Sequence, residues 1–267
     1  MVCMRSFMLC LMFTGLCFAD NTTVPDALWR ALLDAPPARE MTAARKEALR
    51  ALDAWIAQPN SEDTEACAAY YRRAVDRVLT MLETEPPEQG VRVFQLYSSS
   101  VLVQTPSAVI GIDLDQGPNE SLHQSPAEEG VAFCMTPEQI ERLAALVDYG
   151  FHTHEHADHL DYQITRALLE KGKTVIGTEG IRAIWADEPW AEAIVTPPQT
   201  LGRGEKIGDL EVNVLRDRQW NNESHDSGTE NNAYLITLPE GLSIFVKGDI
   251  NCGLRLYGWL QLLAEKG

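Results

Sequence analysis

The stretch FHTHEHADHLD, residues 151–161, constrains this chain more than any other feature of its sequence. It contains four of the six histidines of the chain and three carboxylate side chains. Imidazole and carboxylate groups are ligands that zinc prefers in proteins. The pattern H-x-H-x-D-H therefore predicts a metal site, and a chance cluster of polar residues in a loop is the alternative. The candidate ligands in this stretch are His154, His156, Asp158 and His159.

The spacing of these ligands limits the backbone that carries them. Residues two apart point to the same side of an extended chain and to nearly opposite sides of a helix. His154 and His156 can therefore bind one ion only on a strand or on a loop leaving a strand. Asp158 and His159 then point elsewhere, which suggests a second ion beside the first. Two ions about 3.5–4 Å apart form a two-metal hydrolytic centre.

Helices are predicted before residue 88 and strands after it. Apolar residues recur at helical spacing in three early segments, each followed by proline: residues 26–34, 42–57 and 61–83. Short β-branched and aromatic segments then indicate strands at residues 91–97, 100–104 and 108–114. Thr136, Pro137 and Gln139 predict a capping box that starts a helix, and Gly150 is expected to end it.

The part of the chain after the histidine-rich stretch alternates between predicted helices and strands. Helices are expected at residues 161–170, 179–185 and 254–265. Strands are expected at residues 173–178, 209–215, 232–238 and 242–246, the last two as a hairpin. This order indicates a mixed αβ layer fold.

Composition and the first residues indicate the compartment and the kind of partner. Arg5, the apolar run 7–18 and a cleavage point after Ala19 are typical of a signal peptide, so we expect an exported protein, periplasmic or secreted. No transmembrane segment is expected after its removal. The net charge of −17 argues against binding nucleic acid through a broad basic surface, which leaves a small-molecule substrate as the expected partner.

From residue 91 onward, the sequence resembles the metallo-β-lactamase-fold hydrolase superfamily. The resemblance is carried by THEHADH (residues 153–159), the strand end at Asp113, the histidine in SHDSG (His225), and Gly248-Asp249 after a predicted strand. It implies an α+β fold of four αββα layers, here preceded by an α-helical region. The expected domains are a signal peptide at 1–19, the helical region at 20–88 and the metallo-β-lactamase-like domain at 89–267.

The resemblance also implies a ligand set and a reaction. His154, His156 and His225 would bind the first zinc ion, Asp158 and His159 the second, and Asp249 would bridge both. Asp158 would also be catalytic, because it can accept a hydrogen bond from the metal-bound hydroxide and orient it. The expected activity is zinc-dependent hydrolysis of an ester, lactone, amide or phosphodiester bond.

One departure from the superfamily leaves alternatives open. Members usually carry a further histidine downstream of the Gly-Asp strand end, and this sequence has none after His225. We therefore expect a C-terminally truncated chain, with one ion if the second site is incomplete. The alternatives are a degenerate metal-binding protein without turnover and an iron-dependent protein of thiol or oxygen chemistry. His123 could replace the missing ligand, whereas His152 is expected to be a buried strand residue and Asp113 to orient a ligand histidine or cap a strand end.

Overall fold

The computed structural model describes residues 26–57, 65–117, 135–219 and 228–266. The predicted signal peptide, His123 and His225 lie outside these residues. The chain divides into two compact units after Ala74, inside a helix that runs from Glu65 to Thr84.

The first unit is helical, as the apolar periodicity predicts. It contains α1 (Asp26–Asp34), α2 (Ala43–Ile56) and the first half of α3 (Glu65–Thr84). The buried ring of Trp29 packs edge-on against Tyr70, with ring centroids 5.9 Å apart, and the Arg73 guanidinium lies 4.4 Å above the Trp29 ring. These contacts hold α1 against α3, because aromatic rings bury large apolar areas and attract cations over their faces.

The second unit is built on two sheets. Sheet A has the order β1 (Arg92–Gln95), β2 (Val101–Gln104), β3 (Val109–Ile112), β4 (Tyr149–Phe151) and β5 (Thr174–Ile176). Its first three strands are antiparallel, and β4 and β5 run parallel to β3. Sheet B is antiparallel, with the order β6 (Glu205–Ile207), β7 (Leu210–Arg218), β8 (Glu230–Thr237) and β9 (Ser243–Val246).

Helices complete this unit. They are α4 (Pro137–Leu146), α5 (Tyr162–Glu170), α6 (Glu179–Ile184) and α7 (Leu254–Lys266), with a short 3₁₀ helix at Ala191–Ala193. Among the described residues, no helix combines the length and apolar character that crossing a membrane requires.

The sheets face each other across the main hydrophobic core. Alternate residues of a strand point to opposite faces of its sheet. Val214 therefore faces the core between the sheets, while Leu215 packs with Leu256 and Trp259 of α7. In that core the rings of Phe151 and Tyr234 meet edge-to-face, with centroids 5.3 Å apart. The outer face of sheet B is thus covered by a helix.

The outer face of sheet A is covered by α5. A Cβ atom added to Gly150 in β4 would lie 3.0 Å from Cδ1 of Leu168, so the helix approaches the strand closely there. Leu168 is fully buried, as is Leu143 of the neighbouring helix α4. The order of layers is therefore helix, sheet, sheet, helix, which confirms the predicted αββα fold class.

Several predicted elements are confirmed and one boundary is wrong. Thr136 and Gln139 form the predicted capping box of α4, and β8 and β9 form the predicted hairpin. Gly150 does not end α4: the helix ends at Leu146, and Gly150 lies in the middle of β4. Glycine is used there because α5 packs directly on the strand, and not because a helix terminus needs it. Strand β6 was not predicted.

Candidate metal centre

The histidine-rich stretch begins where β4 ends. The backbone N–H of His152 donates to the Ile176 carbonyl at 2.8 Å, so the chain stays extended for one residue beyond the strand. A tight turn follows, in which the His159 N–H donates to the His156 carbonyl at 3.0 Å. The Asp161 side chain then caps α5 by accepting from the Ile164 N–H at 2.9 Å. Strand end, turn and helix cap together fix the direction of the intervening side chains.

Three donor atoms of the predicted ligand set converge at this strand end. Oδ2 of Asp249 lies 3.9 Å from Nε2 of His154 and 3.8 Å from Nε2 of His159. One donor atom from each of the three residues lies within 4.8 Å of the other two. Two donors of one tetrahedral zinc ion would be about 3.3 Å apart, since metal–ligand bonds are about 2.0 Å long. The three atoms are thus close to the spacing that a shared ion, or two adjacent ions, would require.

The Nε2 atom of His154 has the surroundings expected of a metal ligand. The side chain is fully buried, yet among the described residues Nε2 has no hydrogen-bond partner. Such an atom is costly unless something binds it. Burial, together with the nearby His159 and His156 side chains, lowers the pKa of His154 to about 3. The imidazole is therefore neutral near pH 7, as a metal ligand must be.

His159 is oriented by Asp113. Its Nδ1 atom lies 2.9 Å from Oδ2 of Asp113. Burial lowers the pKa of His159, but the hydrogen bond and charge of Asp113 outweigh it, so the pKa is raised overall. The prediction that Asp113 orients a ligand histidine therefore agrees with this contact. The opposite ring atom, Nε2, lies 3.1 Å from the Ser99 hydroxyl and faces Asp249.

Asp249 comes from the other sheet, and Gly248 brings it close. Gly248 has φ +58°, and a Cβ atom there would lie 2.5 Å from Oδ1 of Asn231 and 2.8 Å from Cβ of Thr153. A side chain at this position would therefore push the turn away from the histidine-rich stretch. The Asp249 carboxylate is also held by Gln219, whose Nε2 donates to the same oxygen, Oδ2, at 2.9 Å.

The remaining predicted ligands lie at the rim. The His156 ring stacks edge-on against the His154 ring, with centroids 4.6 Å apart, and its Nε2 lies 3.2 Å from the Thr229 hydroxyl. Oδ2 of Asp158 lies 3.5 Å from Nε2 of His159, and this side chain is 56% exposed. His225 and His123 lie outside the described residues, so their roles stay predictions, as does the pairing of ligands into two ions.

His152 is the buried strand-end residue that was expected. Its Nδ1 lies 3.0 Å from the His159 carbonyl and its Nε2 lies 3.1 Å from the Thr165 hydroxyl. Burial lowers its pKa, so the ring is neutral. With both ring nitrogens in hydrogen bonds, this side chain supports the turn and has no nitrogen left for a metal ion.

Two further residues contact His154 without having been predicted. The Thr153 hydroxyl and the Asn231 side-chain amide each lie 3.0 Å from Nδ1 of His154. Asn231 and Asn232 are both fully buried in β8. The sequence did contain a signal for these contacts: two consecutive asparagines beside an apolar strand segment. Buried amides require hydrogen-bond partners. The partner itself could not be inferred from sequence.

Comparisons with known proteins found similar solved structures only. No model of a known protein family matches the sequence. No curated protein matches it either. Among solved structures, the chain is similar to a possible metal-dependent hydrolase from Veillonella parvula (TM-score 0.45, 12% identity, 64% of this chain and 66% of that one). It is also similar to an isothiocyanate hydrolase from Delia radicum gut bacteria (TM-score 0.45, 16% identity, 65% and 67%). A third is the metallo-β-lactamase fold protein YhfI from Bacillus subtilis (TM-score 0.33, 13% identity, 59% and 57%).

The layers and strand order of the second unit agree with the fold that the sequence implied. Two sheets enclose the core, helices cover their outer faces, and H-x-H-x-D-H follows β4 directly. This unit has a metallo-β-lactamase-type fold. A fold does not determine a reaction, so the chemistry of this metallo-β-lactamase-type unit has to be inferred from its own side chains.

Proposed function

We propose that this protein is a zinc-dependent hydrolase that cleaves an ester, lactone, amide or phosphodiester bond of a small molecule. One observation carries the proposal: Nε2 of His154, Nε2 of His159 and Oδ2 of Asp249 converge, and the first of these is buried without a partner among the described residues.

The donor set suits zinc. Two imidazoles and a carboxylate are common zinc ligands, and a catalytic zinc site keeps a further position for water or substrate. The low pKa of His154 means that protons do not compete for this ligand near neutral pH. The carboxylate of Asp249 offsets part of the charge of a bound cation. Zinc held there would activate water and polarise the oxygen of the bond to be cleaved.

The protein side chains would supply orientation and proton transfer. Asp158 is exposed and lies beside His159, so its carboxylate can accept a proton from an attacking water molecule. His156 faces His154 across the rim and is available as a further ligand. The second ion, which the sequence implied, would be held by Asp158 and His159 together with Asp249. Export through the amino-terminal signal peptide is also part of the proposal, and cell fractionation of the full-length chain tests it.

Metal content and hydrolysis, measured on the same purified protein, test the proposal. Zinc is counted by mass spectrometry, and hydrolysis of para-nitrophenyl butyrate and bis-para-nitrophenyl phosphate is followed with and without a chelator. We expect one or two zinc ions per chain, turnover of at least one probe, and loss of turnover on chelation. His154→Ala and Asp249→Asn should lose zinc and reduce turnover by about 100-fold.

A control variant distinguishes the loss of the metal site from the general effects of a substitution. Asp209→Asn changes an exposed carboxylate at the turn between β6 and β7, and should keep both zinc and turnover. Full activity in His154→Ala would contradict the proposal. Zinc without turnover of these probes would support a degenerate metal-binding protein in its place.

Iron-dependent chemistry is a second candidate, and one observation favours it. The converging donors are two histidines and one carboxylate, and this combination also binds iron(II) in oxygenases. The metal content of protein purified from cells grown with both zinc and iron decides between the two candidate functions. Iron in the purified protein with visible absorption, and no hydrolysis after zinc loading, would favour the iron centre.

A further inference from the structure

We propose that Thr153 is a positioning residue, whose hydroxyl links the two buried histidines of the metal centre to Asp113 and keeps Nε2 of each unprotonated, so that its lone pair can bind a cation. Among the functions predicted for this stretch, none was assigned to Thr153. The inference depends on the proposed metal centre but not on the reaction that occurs there.

Three polar side chains surround the hydroxyl oxygen of Thr153. Oγ1 of Thr153 lies 3.0 Å from Oδ2 of Asp113, 3.0 Å from Nδ1 of His154 and 3.3 Å from Nδ1 of His159. The side chains of Thr153 and His154 are fully buried, and the other two are nearly so. Thr153 therefore joins the acceptor Asp113 to both candidate ligands, away from competing water.

The donor and acceptor capacities of these groups determine where their protons lie. A carboxylate accepts hydrogen bonds and does not donate them, and a hydroxyl has one proton. The Thr153 proton therefore goes to Asp113, and the hydroxyl lone pairs face Nδ1 of His154, which must then carry a proton. His159 likewise donates its Nδ1 proton to Asp113 at 2.9 Å. An imidazole that binds a metal ion is neutral and carries one proton, so with Nδ1 protonated Nε2 of each ring is left as the metal-binding atom.

Two other contacts agree with this assignment. The Ser99 hydroxyl lies 3.1 Å from Nε2 of His159, where it can donate to a bare nitrogen. The Asn231 amide lies 3.0 Å from Nδ1 of His154, and its Oδ1 is buried without a partner among the described residues. A half-turn of this amide exchanges its oxygen and nitrogen, so that Oδ1 accepts from the same Nδ1 proton. Thr153 and Asn231 would then both fix the tautomer of His154.

A hydroxyl deletion with an equivalent control tests the role of Thr153. Thr153→Val keeps the shape and removes the hydroxyl, whereas Thr153→Ser keeps the hydroxyl. Thr165→Val is the matched control, because Thr165 is also fully buried and its hydroxyl lies 3.1 Å from Nε2 of His152, which is not a candidate ligand. Circular dichroism of the metal-free proteins checks folding, and Thr153→Ala replaces the valine variant if that variant does not fold.

The measurements are zinc affinity, by competition with a chromogenic chelator, and the visible absorption spectrum of the cobalt-loaded protein. Removing a group that orients a metal ligand typically weakens metal binding about 10–100-fold. We expect such a loss and a changed cobalt spectrum in Thr153→Val, with near-normal values in Thr153→Ser and Thr165→Val. Unchanged affinity in Thr153→Val, or an equal loss in Thr165→Val, overturns this role. Absence of zinc binding in the unaltered protein overturns the proposed metal centre itself.

Discussion

Asp113 binds Thr153 with both of its carboxylate oxygens: Oδ1 accepts from the Thr153 backbone N–H at 2.7 Å and Oδ2 from its hydroxyl at 3.0 Å. Asp113 does so with φ +45°, a conformation that residues other than glycine rarely adopt. The Asp113 carboxylate, just after β3, thereby fixes the position of Thr153, just after β4. The carboxyl ends of the parallel strands β3 and β4 thus lie next to each other, beside the candidate ligands.

Asp113→Asn should destabilise the metal-free protein by about 1–3 kcal/mol. The amide nitrogen would replace a carboxylate oxygen that now accepts hydrogen bonds, and a nitrogen that carries protons cannot accept them. Urea unfolding measures this change. Asp148→Asn is the control: Oδ2 of Asp148 accepts from the Val109 N–H at 2.9 Å, but its side chain is 45% exposed. A smaller loss is expected there, and equal losses in the two variants would contradict the special role of Asp113.

Gly248→Ala should destabilise the protein by about 1–3 kcal/mol and weaken zinc binding, because the added methyl group meets Asn231 and Thr153. Gly241→Ala separates the two causes of the loss. Gly241 also has positive φ, +84°, but a Cβ atom there meets nothing within 4 Å. The control variant therefore measures the cost of conformation alone. If both variants bind zinc equally well, the close approach at Gly248 does not position Asp249.

Zinc should raise the midpoint of thermal unfolding, and a chelator should reverse the effect. A ligand that binds only the folded state stabilises it by about 2.7 kcal/mol when its free concentration is 100 times the dissociation constant. His154→Ala should show little response to zinc. The protein with Asp209→Asn should respond like the unaltered chain, and a response that survives in His154→Ala would indicate binding elsewhere.

The contributions of Asp115 and Asp161 to the stability of the protein should fall as the pH rises from about 4 to about 8. Burial, as the largest cause, raises the pKa of Asp115 to about 8, and burial likewise raises the pKa of Asp161 to about 7. An unfolded aspartate ionises near pH 4. Between these values the unfolded chain binds fewer protons than the folded chain, so rising pH favours unfolding.

Asp115→Asn tests this pH dependence, since an amide keeps the shape of the carboxyl group and does not ionise. Its Oδ1 can still accept from the Gly117 N–H, which lies 2.9 Å from the carboxylate now. We expect the variant to gain stability relative to the unaltered protein as the pH is raised from 5 to 8. A stability difference that does not change with pH would show that Asp115 is ionised in the folded protein.

The sequence predicted those parts of the structure that follow from local pattern. The capping box at Thr136 and the hairpin before Asp249 were predicted because local backbone chemistry determines them. Gly150 was misread, because a glycine after a helix usually ends it and only the packing of Leu168 explains its place in a strand. The periodicity of apolar residues does not specify which helix packs on which strand.

The candidate site was predictable as a set of ligand types but not as a geometry. His154, His159 and Asp249 were named from sequence, and the structure brings them together. The hydrogen bonds that orient the two histidines come from Asp113, which was expected in that role, and from Thr153 and Asn231, to which no role was assigned. The contact of Asn231 depends on the pairing of distant strands, about which the pattern of residues around His154 carries no information.

The position of Asp249 has a consequence for local motion. It lies just beyond β9, a four-residue strand that pairs only with β8 in the described part of the chain, whereas His154 and His159 follow a strand of the opposite sheet. Short edge strands open before the rest of a fold does. An ion shared by these side chains would fasten the two sheets at their rim, and deuterium exchange of the β9 amides would slow when it binds.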